Sequence, residues 1–145
     1  MTKIMKSLDE LYEYADENRV EVYSFGLAEN QAMSYMDGVG DCYIAIDPMI
    51  LTSGLEEKMK LSHEMGHCMT GSMYGKDTPL IDKWKHEARA RHWEYTRLVP
   101  LDELHSAFHR GITEPWELAE YFDVPEDYIQ RAYNYYQTYY SKERR

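Results

Sequence analysis

Five consecutive residues, His63-Glu64-Met65-Gly66-His67, carry the chemistry this chain is expected to perform. On an α-helix, residues four apart project from the same face, so both imidazoles can reach a single zinc ion at the usual about 2.0–2.1 Å. Glu64 follows His63 directly and falls beside the position that a catalytic zinc leaves open. There its carboxylate can take a proton from water that the ion has acidified from a pKa of about 16 toward about 7. The pentapeptide alone is a thin signal, since the residue frequencies of this chain produce it in about 3% of shuffled versions. The neighbouring elements have to support it.

The helix that would present these groups is visible in the pattern around them. Leu55, Met59, Leu61, Met65, Cys68 and Met69 supply apolar positions, and Leu61, Met65 and Cys68 form an i, i+4, i+7 stripe opposite the histidines. Ser53 or Thr52 can cap its start with Glu56 in the first turn, and Gly71 stands where it should end. A catalytic zinc needs a third protein ligand. Glu87 is the natural candidate, twenty residues after His67, with His86 and Glu94 as its competitors. That spacing allows a loop from Gly71 to Pro79 and a second helix over 81–99 lying antiparallel to the first. Trp84, Ala88, Tyr95 and Leu98 mark one side of this helix and Glu87, Ala90 and Glu94 another; a small Ala90 lets the helices approach. Cys68 lies at i+5 from His63 and points away from the ligand face.

His63-Glu64-Met65-Gly66-His67, then Trp84-Lys85-His86-Glu87-Ala88-Arg89-Ala90-Arg91-His92-Trp93, then Leu98-Val99-Pro100 together resemble the ImmA/IrrE family of zinc metallo-endopeptidases. Its members carry HExxH, a Glu about twenty residues later inside E-x-x-A-x-x-(W/F), and an apolar pair ending in Pro. Trp116-Glu117-Leu118-Ala119-Glu120-Tyr121-Phe122-Asp123-Val124-Pro125 is similar to the family's C-terminal helical segment, so the resemblance covers residues 40–136. It implies that His63, His67 and Glu87 bind Zn2+, that Glu64 is the general base, and that the reaction is hydrolysis of a peptide bond in a protein. It also implies a biological setting, since these proteins resemble phage and mobile-element anti-repressors that cleave a helix-turn-helix repressor. Two positions depart from the pattern: Arg91 stands where an acidic or amide residue is common, and Glu94 where Ala is usual.

Composition fits this expectation. A chain of 145 residues that is 43% hydrophobic can bury one ordinary core, here expected as a single domain over 1–145 with a metal-site core (1–100) and a helical C-terminal segment (101–145). The fold class expected is α+β: a small zincin-like domain whose short three-stranded sheet packs on the HExxH helix. Ser7 to Asn18 reads as an amphipathic helix through Leu8, Leu11, Tyr12 and Ala15. Strands are expected over 20–24, 32–36 and 41–47, with Asp37-Gly38-Val39-Gly40 as a hairpin turn and Pro48 closing the sheet. After Pro100 the pattern is helical over 101–110, 115–122 and 125–140. A net charge of −10 argues against direct nucleic-acid binding and favours a basic partner or none. No apolar run reaches the roughly 18 residues of a membrane span, and Met1-Thr2-Lys3 leads into no apolar leader segment, so a cytoplasmic location is expected. Two cysteines, Cys42 and Cys68, read as free buried thiols.

Several features of the second half carry less chemistry. His105 and His109 are i, i+4 but lack an intervening Glu and read as a solvated face; with Tyr74 they are candidates for stabilising an oxyanion. Residues 116–132 have a helix-turn-helix cadence without the basic residues that phosphate contacts require, and the mixed Lys142-Glu143-Arg144-Arg145 end reads as a solvated tail. The tyrosines at 133, 135, 136, 139 and 140 are expected to pack on the metal domain or an oligomer surface. The functional expectation is a zinc endopeptidase acting on a specific DNA-binding repressor. Its alternative is a non-hydrolytic module stabilised by zinc that acts by contact, and a weaker third reading is a stress regulator working through the C-terminal helices, which their acidic surface disfavours.

Overall fold

The computed structural model describes residues 4–27, 31–49, 51 and 53–143. Thr52, Met1-Thr2-Lys3 and Arg144-Arg145 lie outside the described residues. The chain forms two compact units: Ser7–Glu94, and Tyr95 onward joined by the segment up to Lys6.

In the first unit, α1 (Leu8–Glu17) starts where Ser7 Oγ accepts from the Glu10 backbone N–H at 3.1 Å, and it buries Leu11 and Ala15. Three strands follow: β1 (Glu21–Ser24), β2 (Ala32–Met36) and β3 (Cys42–Ile46). They form a mixed sheet in the order β1-β3-β2, with β1 parallel and β2 antiparallel to β3. The hairpin between β2 and β3 turns as its composition predicts: the Asp37 carboxylate accepts from the N–H groups of Val39 and Asp41, and Gly40 takes φ +96°. Being central, β3 buries Ala45 as well as Cys42, Ile44 and Ile46. β2 and β3 pack against α2 (Gly54–Thr70).

The Ser53 hydroxyl caps α2 by accepting from Glu56 N–H, and Leu61, Met65 and Cys68 are its buried stripe, as the pattern requires. α3 (Leu80–Leu98) returns after the loop. Here one expectation is corrected: Trp84 is 64% exposed and Ala88 is exposed too, so only Tyr95 and Leu98 of the apolar side read from the sequence are buried. The side bearing Glu87, Ala90 and Glu94 meets α2 instead, with Ala90 fully buried. The contact is closer than Ala90 alone provides. A Cβ on Gly66 would lie 2.6 Å from the Ala90 carbonyl oxygen, so the bare Gly66 backbone is what admits α3.

The free-thiol expectation is also corrected: Cys42 and Cys68 form a disulfide, with Cα atoms 5.8 Å apart. Cys42 lies on the face of β3 that meets α2 and Cys68 on the α2 stripe that meets the sheet, so burial brings both sulfurs into one interface.

The second unit holds α4 (Leu101–His109), α5 (Pro115–Phe122) and α6 (Glu126–Glu143). α5 ends at Asp123 in the left-handed region (φ 55°). α6 buries Tyr128, Ile129, Ala132 and Tyr136. The Tyr136 hydroxyl shares its one proton between the carbonyls of Val99, at 2.8 Å, and Tyr95, at 3.1 Å, the latter also accepting from the Val99 N–H, and so ties α6 to the end of α3 within this unit. Among the described residues no helix is long and apolar enough to cross a membrane.

Two outcomes follow. Gly→Ala inside a helix ordinarily stabilises by about 0.5–1 kcal/mol. Gly66→Ala should instead destabilise by about 1–3 kcal/mol, because α3 must move away; a raised melting temperature would mean that the helices are not in contact there. Protein purified without reductant should show no reactive thiol when denatured, and Cys42→Ser should lower unfolding free energy by about 3–4 kcal/mol through loss of the loop closed by the disulfide.

Candidate metal centre

The site is assembled from two helices and the loop between them. On α2, His63 and His67 present their rings one turn apart, centroids 4.9 Å from each other and nearly perpendicular. On α3, Glu87 reaches both: Oε2 lies 3.2 Å from His63 Nε2 and Oε1 3.2 Å from His67 Nε2. These three residues are a group whose ligand atoms lie within 4.8 Å of one another.

Why the Nε2 atoms point inward is decided by what holds the other nitrogens. His67 Nδ1 lies 2.6 Å from the Ser72 carbonyl oxygen. A carbonyl only accepts, so Nδ1 is the donor here, and in the neutral ring it is Nε2 that carries the lone pair a metal would take. The helix terminus makes the contact possible: Gly71 takes φ +66°, the chain reverses, and Ser72 N–H donates to the His67 carbonyl at 3.0 Å. Thr70 Oγ1 braces the turn through the Gly66 carbonyl and Ser72 Oγ. His63 Nδ1 meets the buried carboxylate of Glu94 at 3.1 Å. Both rings are thereby set to offer Nε2 to a common point.

Tyr74, in the loop, donates its hydroxyl to Glu87 Oε1 at 2.7 Å, and its ring lies T-shaped to that of His67 with centroids 6.1 Å apart. The bond to Glu87, burial, and the charges of Glu87 and Glu64 push the Tyr74 pKa up to about 12, so the phenol keeps its proton at neutral pH. Burial pushes the Glu87 carboxyl up, but the Tyr74 bond and the charges of His63, His67 and Arg91 outweigh it and hold the group below the ordinary carboxylate range. Arg91 thus favours the ionised form of Glu87. The bond to Glu94 raises the His63 pKa, against the opposing effect of burial and with help from the charges of Glu94, Glu87 and Glu64. Two imidazole nitrogens and the Glu87 carboxylate make a donor set that suits a divalent cation, and Glu64 and Glu94 add negative charge around it.

Each residue singled out in the sequence has a definite place. His63, His67 and Glu87 converge, and Glu64 stands half-buried between the histidines in sequence with its charge acting on His63 and Tyr74. The competitor Glu94 faces Nδ1 rather than the point of convergence, and His86 stacks on Tyr74. Of the oxyanion candidates, Tyr74 stands at Glu87, whereas His105 and His109 are exposed on α4 of the other unit. Cys68 is occupied by its disulfide. The Ser72 carbonyl and the bonding role of Glu94 go beyond the residues singled out in the sequence; the first has no side-chain signature, and the second is signalled by its spacing of seven from Glu87 on one helical face. Comparison of the chain with family models, curated proteins and solved structures yields no match.

Dialysed protein should carry one zinc per chain, measured by elemental analysis. His63→Ala and His67→Ala should abolish it, and Glu87→Ala should weaken binding beyond the roughly 10–100-fold that losing a merely supporting group costs. His86→Ala should leave affinity unchanged; a loss there larger than for Glu87→Ala would reassign the third ligand.

Proposed function

We propose that this protein is a zinc-dependent endopeptidase that hydrolyses a peptide bond in a specific protein partner. The observation that carries the reading is the convergence of His63 Nε2, His67 Nε2 and the Glu87 carboxylate on one helix pair, with Glu64 adjoining His63 and both Nδ1 atoms engaged elsewhere. Bound zinc supplies a Lewis acid for the scissile carbonyl and lowers the pKa of water. The chain's own residues do the rest. Glu64 accepts the proton of the attacking water and delivers it to the departing amine. Tyr74 holds Glu87 in place with a hydroxyl that stays protonated.

β2 suits an extended substrate. Asp47 N–H donates to the Gln31 carbonyl and Asp37 N–H to the Asp41 carbonyl across the hairpin, so by alternation the N–H and C=O groups of Ala32, Ser34 and Met36 turn to the open edge of the sheet. This edge packs on α2 and touches the site loop, where Ser34 Oγ lies 3.7 Å from Met73 Sδ. A peptide can add there as a fourth strand. The motif resemblance to ImmA/IrrE and the net charge of −10 favour a basic, DNA-binding repressor of a phage or mobile element as the partner, and a cytoplasmic site of action goes with it. In a reducing cytoplasm Cys42 and Cys68 would be paired thiols in the same interface.

Glu64→Gln separates catalysis from binding, since it removes the base and leaves every proposed ligand. Zinc content and folding should persist while cleavage of the co-expressed partner falls by about 10²–10⁴-fold. A zinc-loaded, folded Glu64→Gln protein that still inactivates its partner at full rate would favour the non-hydrolytic module. A chelator should stop wild-type cleavage and added zinc restore it, with unstructured casein a poor substrate; rapid cleavage of casein at many sites would refute the specificity.

A further inference from the structure

Glu94 is 4% exposed, on the face of α3 that meets α2, and a carboxylate so buried costs several kcal/mol unless it is hydrogen-bonded. Its Oε2 lies 3.1 Å from His63 Nδ1, on the opposite side of the ring from Glu87, whose Oε2 lies 3.2 Å from Nε2. The two glutamates are seven residues apart on one helix, two turns, with Ala90 between them at the contact with Gly66. One face of α3 therefore grips a single imidazole at both nitrogens.

We propose that Glu94 is a positioning residue of the metal centre: its carboxylate accepts from Nδ1–H of His63, fixing the tautomer and ring orientation that leave the Nε2 lone pair for the ion. This rests on the metal-centre reading above but not on peptidase activity. His63 and His67 are then oriented by different means. His67 is held by a backbone carbonyl at a helix terminus, while His63 depends on one side chain. A carboxylate at Nδ1 also makes the ring a more basic donor at Nε2 than a carbonyl does, so His63 becomes the stronger of the two imidazole ligands.

The test compares Glu94→Gln, which keeps shape and an acceptor but loses the charge, with Glu94→Met, which keeps volume and loses both. Three quantities are measured: zinc affinity by chelator competition, melting of the metal-free protein, and the downfield Nδ1–H proton of His63 in the zinc-loaded protein by NMR. The expected affinity order is wild type, then Gln, then Met, with Met weaker than wild type by about 10–100-fold. Metal-free melting should be little changed or raised in Met, because replacing a buried charge by an apolar group of similar size is often neutral or stabilising. The downfield proton should be present in wild type and lost in Met. Should Glu94→Met fail to fold, Glu94→Gln decides: zinc affinity and downfield proton equal to wild type would overturn the proposal. Met and Gln variants binding zinc as tightly as wild type would likewise reduce Glu94 to packing. A wild type that binds no zinc sinks both this proposal and the metal-centre reading, whereas one that binds zinc and cleaves nothing sinks only the peptidase reading.

Discussion

The site depends on how closely two helices approach, and that is set where Gly66 meets Ala90. Helix axes usually lie about 8–10 Å apart, with side chains at the crossing fixing the value. At this crossing one residue has no side chain and the other a single methyl group, and backbone meets backbone. The side chains of the proposed centre are distributed about that point. His63 and His67 flank Gly66 on α2, three residues before it and one after, while Glu87 and Glu94 flank Ala90 on α3, three before and four after. A contact at one pair of small residues therefore places a carboxylate on each side of the His63 ring. An outward shift of α3 by the width of a methyl group would open the 3.2 Å separations between Glu87 and both imidazoles.

The supports around this contact come from unrelated parts of the chain. The sheet holds α2 from behind through Leu61 and Met65, and the disulfide ties the last turn of α2 to β3 one residue after His67. The left-handed turn at Gly71 returns the Ser72 carbonyl to His67, and the loop that follows brings Tyr74 to Glu87. Each restraint removes a rotational freedom of His67 or Glu87 without any ion, which is the preorganisation that the proposed metal centre requires.

Much of this was legible in the residue order because it rests on helical periodicity. The i, i+4 histidines, the stripe of Leu61, Met65 and Cys68, the Ser53 cap, the Gly71 stop and the face shared by Glu87, Ala90 and Glu94 follow from 3.6 residues per turn. The hairpin at Asp37–Gly40 follows from turn chemistry. What escaped depends on tertiary geometry. Trp84 and Ala88 look like a buried side until Gly66 is seen to draw the neighbouring face of α3, with Ala90, inward. Two separated cysteines look like free thiols until strand and helix bring them together, and the placement of β1 beside β3 rather than β2 is a sheet-level fact with no local signature. The Ser72 carbonyl belongs to the backbone and leaves no mark in the sequence.

X-ray absorption at the zinc edge of the purified protein tests the central claim most directly, because it reads the ligand atoms themselves. Two imidazole nitrogens and carboxylate or water oxygens at about 2.0–2.2 Å, with no sulfur shell near 2.3 Å, are the predicted coordination. A sulfur shell, or a spectrum lacking the imidazole signature, would contradict the assignment of His63, His67 and Glu87 as the metal ligands.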